Sequence, residues 1–226
     1  MVARLRSKRA YHVIPSRYPT IGVFDDVCDP DDLDGVIELA QATNPRFLDA
    51  IGNIRLVRDK DRIAGPGSTP IMAAFTHAKP SRFCNGTFGI YYAAPEEATA
   101  IAETAYHRGR FLSDAHLPNE RLDMRVYAVT ASGVCDDVRP LAYADPIYDP
   151  DSYAASQPYG TRLYTEDVVD GIVFKSVRRR DGDCFGLFRP TSIKSCVVSR
   201  HLEYRFEDYR LVGVLEITQK AQKAQI

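Results

Sequence analysis

No apolar run in this 226-residue chain approaches the ~18 residues of a membrane-spanning helix, so no membrane partner is expected. The opening MVARLRSKRA is basic but has no apolar core behind it, which argues against a secretory signal. A dominant charge is missing as well. The 29 Lys and Arg nearly cancel the 30 Asp and Glu, leaving −1, and so weak a field argues against direct nucleic-acid binding. There is no disulfide or zinc pattern either. The 5 cysteines, Cys28, Cys84, Cys135, Cys184 and Cys196, are odd in number and scattered, with no CxxC and no Cys/His pair at zinc spacing. A reduced, cytoplasmic protein with no metal site is the expectation.

What is present suits one domain. With 45% hydrophobic and 26% charged residues, the chain is long enough for one well-buried core and short for two. Residues 1–10 read as a flexible N-terminus, 11–217 as the domain, and 218–226 as a tail with little apolar surface. Tyr11 to Ile14 reads as a strand stopped by Pro15. Asp29 to Asp32 offer N-caps for a helix through Leu33, Val36, Ile37 and Ala40, followed by a helical piece over 46–51. The glycine-rich loop AGPGSTP, 64–70, opens toward a helix over 71–76, where backbone N–H groups could cradle phosphate; a plain loop is the simpler reading. Leu122, Met124, Val126 and Ala128 alternate as in a half-buried strand. Asp149-Pro150-Asp151 precedes a helix through Ala154, Ala155, Tyr159 and Leu163. Strands are expected at 168–173 and 184–188 around a charged hairpin turned by Asp181-Gly182, and again at 202–206 and 211–217. Interleaved helices and hairpins of this kind make an α+β domain, a bent, mostly antiparallel sheet with flanking helices.

One stretch, residues 81–111, concentrates the chemistry. Residues 87–93 are β-branched and aromatic between Asn85-Gly86 and Pro95, as a short strand would be. A helix follows, with Ala98, Ile101, Ala102, Ala105 and Tyr106 as its buried seam. Glu103 lies off that seam on one face with Thr99 and His107, pointing toward whatever Arg82 and Tyr91 or Tyr92 line. An acid, an arginine and a tyrosine at one strand-to-helix junction suit a cleft. A solvated Glu103 paired with His107 is the plainer alternative.

Arg82-Phe83 before a glycine turn, Tyr91-Tyr92-Ala93-Ala94, Ala102-Glu103-Thr104 and the later Gly171-Ile172-Val173-Phe174-Lys175-Ser176-Val177-Arg178 resemble the RES-domain toxins, a family named for its Arg, Glu and Ser. The resemblance runs with gaps from about Tyr11 to about Tyr204. It departs in two places: compact members carry Gly-Gly-Arg-Trp where Pro80-Ser81-Arg82-Phe83 stands, and residues 29–79 are an expansion that they lack. What it implies is an ADP-ribosyltransferase-like fold and a bacterial toxin that consumes NAD, held in check by an Xre-type antitoxin.

Cleaving the nicotinamide–ribose bond builds positive charge on the ribose, so the site needs a carboxylate there, a stacking surface and cations for the diphosphate. By the resemblance, Glu103 supplies the carboxylate, Tyr92 or its neighbour Tyr91 the stacking surface, and Arg82 a guanidinium for diphosphate. Ser176 would bond a phosphate or ribose oxygen, with Arg178 beside it. Arg17, or less naturally His12, would fill the place of the family's first arginine; His107 and Ser156 are further candidates for substrate contact. The acceptor of ADP-ribose is open between water, phosphate and a host protein side chain. No Glu-x-Glu surrounds Glu103, which weighs against transfer to arginine. The cationic run Arg178 to Arg180 is either an antitoxin-facing rim or a solvated hairpin. Two rival functions remain: a non-catalytic nucleotide- or RNA-binding module built on the arginines and aromatics, and a hydrolase using Cys84 with His77 or His107.

Overall fold

The computed structural model describes residues 1–16, 24–25, 30–33, 35–38 and 51–218. Its strands are β1 (Val2–Pro15), β2 (Tyr91–Ala93), β3 (Glu120–Asp137), β4 (Gly171–Lys175), β5 (Asp183–Leu187), β6 (Ile193–Glu207) and β7 (Arg210–Glu216). The helices used below are α1 (Ser68–Thr76), α2 (Glu97–Asp114) and α3 (Ser156–Glu166). Residues 35–38 are also helical, as the Leu33–Ala40 periodicity predicts; the piece expected over 46–51 lies almost entirely outside the described residues, and so does the tail from 219.

The long β3 is the spine. On one side it pairs antiparallel with β1 from Val2↔Asp136 to Pro15↔Met124. On its other side β6 pairs antiparallel with its first part, and β4 takes its last residues in parallel, from Cys135↔Gly171 to Asp137↔Val173. From there the order continues through β5 to β2, and β7 ends the sheet beside β6. Only the β3–β4 pairing is parallel, so the chain is α+β with a mostly antiparallel sheet. Register shifts between Val126 and Tyr127 and between Thr130 and Ala131 bend the spine. Tyr11 and Ala94 then exchange two backbone bonds of 2.8 and 3.0 Å, which bring the end of β2 against β1.

Three expectations need correction. Residues 1–10 are not loose: they form most of β1. Their exposed Arg4, Arg6 and Lys8 hide the fact that Ala3, Leu5 and Ala10 reach the core, while β3 supplies the ladder. The strand read at 87–93 shrinks to β2, because Asn85 Oδ1 captures the Thr87 N–H at 3.2 Å and its hydroxyl at 2.7 Å and holds a turn there. The buried seam of α2 is Thr99, Ala100, Ala105, Gly109 and Leu112, with Ala98 exposed. Gly109 sets that rotation, since a Cβ there would stand 2.6 Å from the Tyr209 carbonyl oxygen.

Two cores flank the sheet. One joins Ile71, Met72 and Phe75 of α1 to Tyr91, Tyr127 and Leu187. The other joins Ala100 and Leu112 of α2 and Leu163 of α3 to Phe83, Met124 and Phe174. Gly67, at φ +83°, does open onto α1. The Thr69 N–H, however, donates to Asp25 Oδ1 at 2.9 Å, so this helix start holds the chain's own carboxylate and not a phosphate.

Candidate active site

A cleft of about 430 Å³ opens where β1, β2 and α2 meet. Its wall includes Tyr11 to Pro15, the turn Lys79 to Arg82, Tyr92, Phe174 and Arg178; α2 contributes Ala100, Glu103, Thr104, His107 and Arg108. The helical period puts Glu103 and His107 on one face, one turn apart.

Glu103 is fixed from behind. Ser176, in the turn after β4, donates its hydroxyl to Glu103 Oε1 at 2.5 Å. The Ser176 hydroxyl oxygen itself accepts the N–H groups of Arg178 at 3.1 Å and Arg179 at 2.9 Å, and the Ser176 N–H reaches the Gly182 carbonyl at 2.7 Å. Ser176 is fully buried and is not part of the cleft wall. Its single proton is committed to the carboxylate, which makes it a support for Glu103 where the sequence suggested a ligand for phosphate or ribose. One turn earlier on α2, Thr99 Oγ1 accepts from Arg179 Nη1 at 2.8 Å and ties the same hairpin to the helix.

Arg82 is 7% exposed yet lines the cleft. Its Nη1 donates to the carbonyls of Ile147 at 3.1 Å and Asp149 at 3.0 Å, and its guanidinium lies 5.0 Å from the Tyr153 ring centre. The turn that carries it is held from two sides. The Tyr92 hydroxyl accepts the Phe83 N–H at 3.2 Å and bonds the Ser81 hydroxyl at 3.0 Å. From α3, Gln157 Nε2 donates to the Ser81 and Cys84 carbonyls at 3.0 and 3.1 Å. Burial raises the Tyr92 phenol above its ordinary pKa, so it stays protonated. Arg178 crosses the rim with its guanidinium 3.2 Å from the Tyr106 ring centre and Nη2 on the Pro150 carbonyl; its Nε is buried without a partner among the described residues.

The RES domain profile matches residues 61–207, well over half of the chain and inclusive of Arg82, Glu103 and Ser176. The chain belongs to the RES-domain family. RES domains are found in the toxins of toxin–antitoxin systems, which generally pair with an antitoxin, and the family is linked to NAD-related enzymatic toxins. Beyond the domain itself, the chain is 25% identical over 203 residues to the uncharacterized protein y4oC of Sinorhizobium fredii (strain NBRC 101917 / NGR234), covering 89% of this chain and 84% of that protein. No helix among the described residues is long and apolar enough to cross a membrane.

In this RES domain the remaining candidates divide. Tyr91 leaves the cleft: successive residues of β2 face opposite ways, and its ring is buried in the other core with its hydroxyl 3.6 Å from Cys196 Sγ. Ser156 is fully buried at the start of α3, bonded to the Tyr153 carbonyl at 3.5 Å and absent from the cleft wall. Arg17 lies outside the described residues. His107 stands on the wall; the residue is exposed, but desolvation by the surrounding protein and then the charges of Arg178, Arg108, Arg82 and Arg110 lower its pKa to about 4. Cys84 donates its thiol proton to the Phe88 carbonyl at 2.8 Å, and the His77 ring bonds the end of α1; neither lines the cleft, so the structure gives a Cys84–His77 hydrolase no site.

His12 deserved more weight. Its ring stacks on Tyr91 at 4.3 Å, and Nδ1 donates to the Tyr92 carbonyl at 2.7 Å. Burial lowers its pKa to about 4 against the pull of that bond. A neutral ring with Nδ1 protonated leaves Nε2 as an acceptor. The resemblance offered it only as the less natural alternative to Arg17. Tyr153 and Cys184 also line the cleft with no signal at all; burial, and then the charge of Glu103, raises the Cys184 thiol pKa, so it is a poor nucleophile.

Proposed function

We propose that this RES domain cleaves the nicotinamide–ribose bond of NAD and passes ADP-ribose to water, phosphate or a protein side chain. The observation that carries the reading is the Glu103 carboxylate, oriented by Ser176 and facing a cleft whose other charged walls are cationic: Lys79 and the guanidiniums of Arg82, Arg108 and Arg178. The glycosidic electron pair leaves with the ring nitrogen, and nicotinamide departs neutral. The ribose C1′ then carries oxocarbenium character, and a carboxylate already held in place stabilises it without reorganising. The acceptor oxygen or nitrogen attacks C1′ and loses its proton. Arg82 and the unpartnered Nε of Arg178 suit the diphosphate, and the Tyr92 ring in the wall offers the nicotinamide a stacking face.

An enzyme of this kind needs restraint inside its own cell, and an Xre-type antitoxin in the cytoplasm is the restraint we infer. Of the cationic rim residues, Arg178 and Arg179 already hold protein oxygens, which leaves the exposed Arg180 best placed for an acidic partner group.

The test is NAD consumption by the purified chain, with and without phosphate, beside Glu103→Ala. Loss of NAD with release of nicotinamide, abolished in the variant, supports the reading, and the product formed with phosphate separates hydrolysis from phosphorolysis. If NAD survives micromolar enzyme and labelled NAD marks no protein in a cell extract, the reading fails and a non-catalytic nucleotide binder takes its place.

A further inference from the structure

Ser176 is tied to its own turn before it reaches Glu103. Its Oγ accepts the N–H groups of Arg178 and Arg179 at 3.1 and 2.9 Å, and its N–H donates to the Gly182 carbonyl at 2.7 Å. Those bonds fix the hydroxyl within the hairpin. They do not fix where the hairpin stands against α2. The Ser176–Glu103 bond of 2.5 Å needs that spacing held, because a hydrogen bond weakens steeply as its distance and angle depart from the ideal.

A second bond between the same two elements sets the spacing. Arg179 Nη1 donates to Thr99 Oγ1 at 2.8 Å. Thr99 is fully buried and stands four residues before Glu103, so the two acceptors share a face of α2 one turn apart. Arg179 therefore acts twice: its backbone N–H holds Ser176 Oγ, and its guanidinium holds the helix that carries Glu103. Glu103, Ser176, Arg179 and Thr99 make a closed ring, completed by one turn of α2. Gly182, at the far end of the hairpin, seats it directly on Thr99. A Cβ at this buried glycine would lie 2.4 Å from Thr99 Oγ1 and 2.6 Å from Thr99 Cγ2. Neither Thr99 nor Arg179 lines the cleft, so any effect they have on the reaction passes through Ser176 and Glu103.

We propose that Arg179 and Thr99 are positioning residues for the Glu103 carboxylate: their bond sets how far the Ser176 hairpin stands from α2 and so keeps Ser176 in reach of Glu103. The role rests on the NAD-cleaving reaction proposed above, in which Glu103 acts on the ribose in the transition state. Loss of the tether then lowers kcat and spares KM.

Two variants cut the tether from opposite ends. Thr99→Val keeps the branched shape and removes the acceptor; Arg179→Met removes the donor and keeps the backbone N–H on Ser176 Oγ. Each is expected to lower kcat for NAD cleavage by about tenfold with KM within about threefold of wild type. Thr99→Ser keeps the hydroxyl and is expected to hold kcat within about threefold of wild type. Because the tether works through Ser176, adding Thr99→Val to Ser176→Ala should lower kcat by less than about threefold further. Thermal melts confirm that folded proteins are compared, and the part-exposed Arg179 carries the comparison if Thr99→Val melts too low. Wild-type kcat in Arg179→Met overturns the role, and so does a Thr99→Val effect of the same size with and without Ser176, which is what a merely structural residue would give. A wild type that leaves NAD intact overturns the reaction itself and this role with it; an active wild type beside an indifferent Arg179→Met overturns the role alone.

Discussion

The Ser176 hydroxyl meets Glu103 Oε1 at 2.5 Å across a separation of 73 residues, and that bond joins the strand half of the cleft to its helix. Because Ser176 Oγ also accepts two backbone N–H groups, it cannot rotate away without leaving them unpaired. The carboxylate is thereby held in one orientation before any substrate arrives.

Ser176→Ala should therefore act on turnover more than on binding. Under the proposed reaction, kcat falls by about 10–100-fold while KM stays within about threefold, since the lost bond orients a group that acts in the transition state. The N–H groups of Arg178 and Arg179 lose their acceptor, and stability falls by about 1–3 kcal/mol. Steady-state kinetics beside urea unfolding separates the two effects. An unchanged kcat with the same stability loss would reduce Ser176 to a structural residue.

Arg82→Lys is the second case where a mild-looking change should be severe. One guanidinium nitrogen bridges the Ile147 and Asp149 carbonyls while its plane faces Tyr153. An ammonium keeps the charge but not the planar fork. KM for NAD is expected to rise by about tenfold or more, with a loss of about 1–2 kcal/mol from the 147–153 segment. A variant with wild-type KM would remove Arg82 from diphosphate binding.

Much of this site was legible in the sequence, and the rest was not for identifiable reasons. The period of α2 alone puts Glu103 and His107 on one face, and Asn85-Gly86 and Pro95 bracket the β2 region. Periodicity did not reveal which tyrosine of Tyr91-Tyr92 faces the cleft, because that depends on which side of the sheet α2 covers. The Ser176–Glu103 bond is a long-range contact with no local signature. β1 was read only from Tyr11 to Ile14, since its part before Tyr11 reaches the core through Ala3, Leu5 and Ala10 alone, shows little apolar alternation and takes its stability from the ladder with β3.

Acid sensitivity should expose His12. Its pKa of about 4 in the folded chain lies below the ordinary value of 6.5, so between those limits the unfolded chain binds the extra proton. Stability is then full above pH 6.5 and falls as pH drops toward 4, by up to roughly 3 kcal/mol for this one ring. The depressed His107 adds a smaller fall of the same sign, since it is more open to solvent. His12→Gln keeps a donor for the Tyr92 carbonyl and removes the titration. Urea unfolding at pH 7, 6, 5 and 4.5 should show a shallower decline for the variant than for wild type; parallel curves would mean that His12 does not titrate in this window.

Gly160 tests how the Arg82 turn is held. On α3 it sits where a Cβ would lie 2.1 Å from the Phe83 carbonyl oxygen and 2.7 Å from the Phe83 Cβ. Both neighbours are fixed, because Phe83 is fully buried and its N–H is bonded to the Tyr92 hydroxyl. In an open helix Gly→Ala would stabilise by about 1 kcal/mol. Here the overpacking dominates, and Gly160→Ala should destabilise by about 1–3 kcal/mol. Pushing α3 away also stretches the Gln157 bonds to Ser81 and Cys84, which frees the segment that carries Arg82. The same variant should therefore raise KM for NAD with little change in kcat, the opposite split from Ser176→Ala. Thermal melts and steady-state kinetics on the two variants read both halves. A Gly160→Ala protein as stable as wild type would mean that α3 can retreat without cost, and its close approach would not be what holds Arg82 in place.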